Sequence, residues 1–223
     1  MSTEVDICNL ALAHLGDRAT VASISPPEGS AQAEHCARFY PVARDALLEM
    51  HTWGFATTRA NLAQVVYAFP QWQYVYAAPS NMVQPIAVLP AGALDNYSYP
   101  YVEGYTPFQT ANTGLGSYTP QPFETEIDPA TGQTLILTDV ESAVLRYTFI
   151  ATDAARFTPL FTQALSFLLA SYLAGPLIKG DAGMAVAREM EAKFERALAK
   201  ARSSDGNHSM VRAQQDTPWL KVR

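Results

Sequence analysis

The stretch PLFTQALSFLLASYLAGPLI, residues 159–178, carries no charge over 20 residues, and it limits the folds open to this chain more than any other segment. A run like this has to be covered, either by a bilayer or by other elements of the same fold. Thr158-Pro159 reads as a helix start with proline at the first position. The polar residues Thr162, Gln163, Ser166 and Ser171 interrupt the run, and Gly175-Pro176 reads as an early stop. The helical part, 159–175, is then about 25 Å long, short of the roughly 30 Å hydrocarbon core of a bilayer. The run is therefore expected to be a helix buried on most sides and not a membrane span.

The segments around it supply elements that could cover it. Thr3 followed by Asp6 is close to a capping box. Val5, Cys8, Leu12 and Leu15 mark one face of a first helix over 4–15, which Gly16 stops. Ser30 caps a second helix over 31–50, with an apolar stripe of Ala33, Cys36, Ala37, Tyr40, Ala43, Leu47 and Met50. Pro41 removes one hydrogen bond inside it and is expected to bend it. Trp53-Gly54-Phe55 places bulky rings at the exit of that helix. A last helix is expected over 182–202, capped by Asp181. Its stripe is Met184, Ala187, Met190, Phe194, Ala197 and Ala201, and Glu189 pairs with Lys193 one turn on.

Between these helices the composition changes to Tyr, Val, Thr, Pro and Gly. WQYVYAA (72–78), IAVLP (86–90) and ESAVLRYTFIA (141–151) read as strands. ETEIDPATGQTLILT (124–138) reads as a hairpin turning at Asp128 to Gly132. The long segment 96–122 is aromatic and rich in Gly and Pro. It reads either as a functional loop ordered by a partner or as a mobile hairpin tip. The expected fold class is α+β: an antiparallel bundle of about four helices (1–64 and 153–203), an inserted antiparallel β domain (65–152) and an extended C-terminal tail (204–223).

Charge and cysteine usage exclude several function classes. The net charge is −6 and there is no Lys/Arg block, so wrapping nucleic acid through its phosphates is not expected. Charged residues make up 16% against a usual ~25%, a surface that suggests cover by partners and hence an oligomer. Cys8 and Cys36 form no C-x-x-C, and the opening MSTEVDICNL does not read as a signal peptide. Two reduced, buried thiols in a cytosolic setting are expected.

No residue pattern carries a reaction. The histidines His14, His35, His51 and His208 form no H-x-x-x-H, so neither a metal site nor a metal cofactor is expected. His51 reads as a cation at a helix C-terminus. There is no G-x-S-x-G, S-x-x-K or P-loop. The adjacent pair His35 and Cys36 looks like a base beside a thiol, but neighbours on a helix point about 100° apart. Cys36 lies on the apolar stripe and reads as inert, and His35 reads as a surface residue. Asp45 with Glu49, and Glu191 with Glu195, are spaced one turn apart and read as solvated helix surface. The chain is not expected to be an enzyme.

Two blocks of the sequence resemble one known family. The first is NLALAHLGDRATVASISPPEGSAQAEHCARFYPVARDALLEMHTWGFA (9–56). It carries the Leu15-Gly16 helix end, the Glu28-Gly29-Ser30 entry, Arg44-Asp45 with Leu47-Leu48, and Trp53 with Phe55. The second is LILTDVESAVLRYTFIATDAARFTPLFTQALSFLLASYLA (135–174). It carries Thr138, Arg146-Tyr147 and the Phe157-Pro159-Phe161 approach to the long helix. The ending PWLKVR (218–223) fits the same pattern. Together they resemble the head–tail adaptors, or tail tubular protein A family, of short-tailed (podovirus) phages. Segment 96–122 matches nothing in that pattern.

The resemblance implies a virion protein of the phage tail, present in the host cytoplasm during assembly. It implies a ring, a dodecamer in the virion and compatible with a monomer before assembly. That ring would sit between the portal protein and the nozzle, tail tubular protein B, with DNA passing through its channel during ejection without specific binding. It further implies a C-terminal tail on the portal, expected to use Arg212, Trp219, Leu220, Lys221 and Arg223. Loops of the β part would face the nozzle, and Tyr101, Tyr105, Phe108 and Tyr118 are the candidates for that contact. The acidic balance suits a passage that must not grip DNA, and a polar tail ending in Trp219-Leu220 suits a segment ordered by a partner. The alternative reading is a tail-associated β-rich binding module that contacts a fibre or receptor through 96–122.

Overall fold

The computed structural model describes residues 2–18, 20–66, 71–91 and 121–208. Among these the architecture is mixed α+β, with four α-helices and two antiparallel sheets.

Helix α1 (Glu4–His14) begins as its sequence dictates. The Thr3 hydroxyl accepts from the Asp6 N–H at 3.1 Å, and the Asp6 carboxylate accepts from the Thr3 N–H at 2.8 Å. Those bonds hold the Asp6 carboxyl below the usual carboxylate range. Gly16, at φ +77, supplies the left-handed conformation just past the helix end. The loop that follows is tied back to α1. Asn9 accepts from the Val21 N–H at 2.7 Å and donates to the Val21 carbonyl at 3.0 Å.

Helix α2 (Ala31–Glu49) starts at Ser30, whose hydroxyl accepts from the Ala33 N–H at 3.2 Å. Its inward face holds Ala33, Cys36, Tyr40, Ala43, Leu47 and Leu48. The stripe differs from expectation: Leu48 joins it and Ala37 is only half-buried. Met50 is exposed, and Arg44 is buried. A short 3-10 turn, Gly54–Ala56, then leads directly into strand β1 (Thr57–Asn61).

Helices α3 (Pro159–Ile178) and α4 (Gly180–Gly206) form a hairpin, and both overrun their expected ends. Gly175-Pro176 does not stop α3. Gly175 has no Cβ for the Pro176 ring to meet, which relieves one of proline's contacts, while the lost N–H and the crowding of the Tyr172 carbonyl are tolerated within the helix. The ladder resumes with the Lys179 N–H on the Gly175 carbonyl at 3.1 Å. The helix is therefore 20 residues long, about 30 Å, and the length argument against a span no longer applies. Length and composition alone would let this helix cross a membrane. In the fold it is used differently. Phe161, Ala164, Leu165, Leu168, Leu169, Ala170, Leu173 and Ala174 are buried, and α3 packs against α1, α2 and α4.

Asp181 does not cap α4. The helix begins at Gly180, Lys179 occupies the cap position without a side-chain bond, and Asp181 lies in the first turn, where its charge suits the helix dipole. At the other end α4 continues to Gly206, so residues 204–206 are helix and not tail. Met184 is exposed, and the buried stripe is Gly183, Met190, Phe194, Ala197, Leu198 and Ala201. The expected Glu189–Lys193 pair is present at 2.7 Å.

The strands after β1 are β2 (Ala63–Gln64), β3 (Tyr74–Ala77), β4 (Met82–Leu89), β5 (Phe123–Ile127), β6 (Thr134–Thr138) and β7 (Val144–Phe149). They pair as two antiparallel sheets, ordered β1-β7-β4 and β2-β3-β6-β5. Strand pairing thus starts at Thr57, inside the span expected to be helical. The β5–β6 hairpin turns as expected. The Asp128 carboxylate accepts from the Ala130 N–H and the Thr131 hydroxyl, and Gly132 sits at φ +70. Tyr76 and Ile136 from one sheet meet Val88, Leu145 and Tyr147 from the other in a shared core. Val75, Leu135 and Leu137 point the opposite way and form a smaller cluster. Phe149 packs against both the helical core and the shared sheet core, so β7 connects them.

Candidate functional site

The conspicuous pair of the sequence is separated by the fold. Cys36 faces α1 and is 0% exposed, as is Cys8 opposite it. The two thiols are neighbours in the core and perturb each other's ionisation. The Cys36 thiol and then burial hold the Cys8 proton on, while the Cys8 thiol draws the Cys36 pKa below its ordinary value. His35 is on another face of α2. It is half-buried, not fully on the surface, and its ring stacks on Phe39 at 6.3 Å. Its buried Nδ1 has no hydrogen-bond partner among the described residues. The base that would activate Cys36 is therefore directed elsewhere. What lies near the thiols is the Tyr40 hydroxyl, kept protonated by burial and by the field of Glu4.

Of the carboxylate pairs, Asp45 is engaged by its neighbour. The Arg44 Nε donates to Asp45 Oδ1 at 2.8 Å, and the Arg44 guanidinium lies 6.0 Å from the Tyr40 ring centre. Glu49, Glu191 and Glu195 are exposed. No group of three His, Cys, Asp or Glu side chains among the described residues is placed to hold a metal ion. His14 is taken up by packing. Its Nε2 lies 3.1 Å from the Ser166 hydroxyl on α3 and its ring stacks on Phe167 at 4.4 Å. Burial, and then the charge of Lys193, push its pKa below the ordinary value of 6.5.

The most connected polar cluster was not visible in the sequence. His51, expected only to complement the dipole of α2, has its Nε2 3.2 Å from Asp205 Oδ2 in the last turn of α4. The Gly54 N–H donates to both Asp205 oxygens at 3.2 Å. Arg202, one turn earlier, donates to the Met50 carbonyl at the end of α2. The Asp205 side chain is only 10% exposed and that of His51 26%, so these bonds form with much of the solvent excluded. The cluster sits on a group of rings. Trp53 is fully buried, donates from Nε1 to the Leu47 carbonyl at 2.8 Å, and meets His51 and Phe161 edge-on at 4.8 and 5.0 Å. Phe55 and Phe157 complete it, at 4.9 and 4.7 Å from Phe161.

This arrangement binds chain to chain. Its charged groups are satisfied within the same molecule, Asp205 by His51 and the Gly54 N–H and Arg202 by the Met50 carbonyl, and the Ser166 hydroxyl beside His14 has the Gln163 carbonyl as its acceptor at 2.8 Å. The residues expected to touch the portal (Arg212, Trp219, Leu220, Lys221 and Arg223) and the nozzle (Tyr101, Tyr105, Phe108 and Tyr118) lie outside the described residues. No protein-family model and no curated protein matches the chain.

Proposed function

We propose that this chain is a structural head–tail adaptor of a short-tailed phage. It would assemble as a ring, dodecameric in the virion, between portal and nozzle, with a central channel for DNA. In this reading the helices are the antiparallel bundle that forms the body, the β insertion projects from one end, and the C-terminal tail docks on the portal. Its work is mechanical and needs no cofactor.

One observation carries the reading. Among the residues that give the sequence its resemblance, the aromatic ones of two blocks about a hundred positions apart meet in one place. Trp53 and Phe55 from the first block stack at 6.0 Å, and both contact Phe161 from the second. In this reading what these rings maintain is an architecture. The uncharged face of α3, covered by three helices, fits a body that stays rigid while neighbours and DNA press on it.

The test is removal of the tail. The cut belongs after His208, because a cut at 204 would also remove Asp205 and the end of α4. The chain lacking 209–223 is expected to fold with an unchanged circular dichroism spectrum and to lose binding to portal rings of the parent phage. Undiminished assembly on those rings would refute tail docking. Loss of fibre or receptor binding on removing 96–122, with heads still completed, would favour the binding-module reading.

A further inference from the structure

Lys179 is the one residue of the α3–α4 hairpin whose backbone does not suit its side chain. It sits at φ 60, ψ 162, a region open in practice to glycine alone. The residues around it fit their places. Gly180 is also at positive φ, and a Cβ on Gly183 would lie 3.0 Å from the Ala174 carbonyl oxygen, so glycine permits the close approach of the two helices. Its side chain gains nothing there: it is exposed and makes no cap bond. Its backbone is fixed from both sides, its N–H on the Gly175 carbonyl and its carbonyl under the Gly183 N–H at 3.2 Å. The joint therefore stores strain that the packing of α4 on α3 imposes.

We infer that α4 is an exchangeable arm, able to leave the α3 of its own chain and seat on the α3 of a second copy. The occupant of the vacated face has to be another α4. The face of α3 is apolar and cannot stay open to water, and the stripe of Met190, Phe194, Ala197, Leu198 and Ala201 is the surface shaped to cover it. In the exchanged pair every α3–α4 contact and the Asp205 bonds to His51 and Gly54 are made again between chains. The two forms then differ in the joint, where opening lets Lys179 relax. Strain at a short connection is the physical condition that favours such an exchange over the closed monomer at high protein concentration. Asp205 holds the far end of α4 in both forms, so it sets how fast the arm leaves and not where the equilibrium lies.

The experiment uses the isolated full chain, so its outcome is independent of portal docking. Protein labelled with 14N and 15N is mixed at high concentration, with a benzophenone cross-linker in place of Phe194, and cross-links between α4 and α3 are read by mass spectrometry. Mixed-isotope cross-links are expected in the oligomeric fraction. Lys179→Gly, which removes the strain, should lower that fraction at least about fivefold. Lys179→Ala, which keeps the Cβ and loses the charge, should behave as the parent chain. Asp205→Ala should speed the exchange without moving its end point. Cross-links confined to one isotope, an oligomeric fraction unchanged by Lys179→Gly, or a chain that stays monomeric at every concentration would each overturn the proposal.

Discussion

The helical and β regions are held together by different means. The helical core is one continuous cluster built from chain segments at both ends of the sequence, and side-chain hydrogen bonds spanning about 150 positions close it. The sheets divide their buried residues between a shared core and a second cluster of three, and their pairing is mostly between strands of the insertion itself. The helical region therefore behaves as the frame to which everything else is attached. The sheets can vary on their outer surfaces at less cost to the whole.

Four substitutions test that contrast. Phe161→Ala removes the ring on which Trp53, Phe55 and Phe157 converge and should cost about 3–5 kcal/mol in denaturant unfolding. Leu137→Ala, in the small sheet cluster, should cost less, about 2–3 kcal/mol, because few neighbours lose contact. If it cost as much as Phe161→Ala, the distinction between frame and attachment would be wrong. Asp205→Ala should cost about 2 kcal/mol and speed hydrogen exchange at the Gly54 amide, with strand amides of β6 unaffected.

The smallest effect is a pH slope. Burial lowers the His14 pKa in the folded protein below the 6.5 of the unfolded chain, so the unfolded state binds the proton more readily. The stability associated with neutral His14 is fully present above about pH 6.5 and is lost as the pH falls through the lowered folded value. His14→Gln should flatten that part of the stability-versus-pH curve. A curve unchanged by the substitution would mean that the slope originates outside the helical frame.

How far the sequence revealed this fold depended on the range of the interactions. Thr3 with Asp6 and Ser30 with Ala33 bond within one turn, and their helix starts were readable for that reason. The Asp128 turn was readable on the same ground. Strand β1, TTRAN, was missed because it is polar, half-exposed and without a clean alternation. Its pairing with β7 lies nearly ninety positions away. The end of α4 was missed because SSDG reads as a turn, whereas Asp205 is recruited by a backbone N–H 151 positions earlier. Gly175-Pro176 was read by the usual effect of proline, one contact of which is absent because Gly175 has no Cβ. Of the candidate site, the separation of His35 from Cys36 followed from helical geometry alone, while the Asp205 cluster had no local spacing to announce it.

The position of Trp53 has an optical consequence. Its indole is fully buried, edge-on to the His51 ring that Asp205 holds, and its emission should be blue-shifted while that contact lasts. With Trp72 and Trp219 replaced by phenylalanine, Trp53 becomes the sole emitter. A red shift would then report, in real time and without an added label, each departure of α4 from the end of α2.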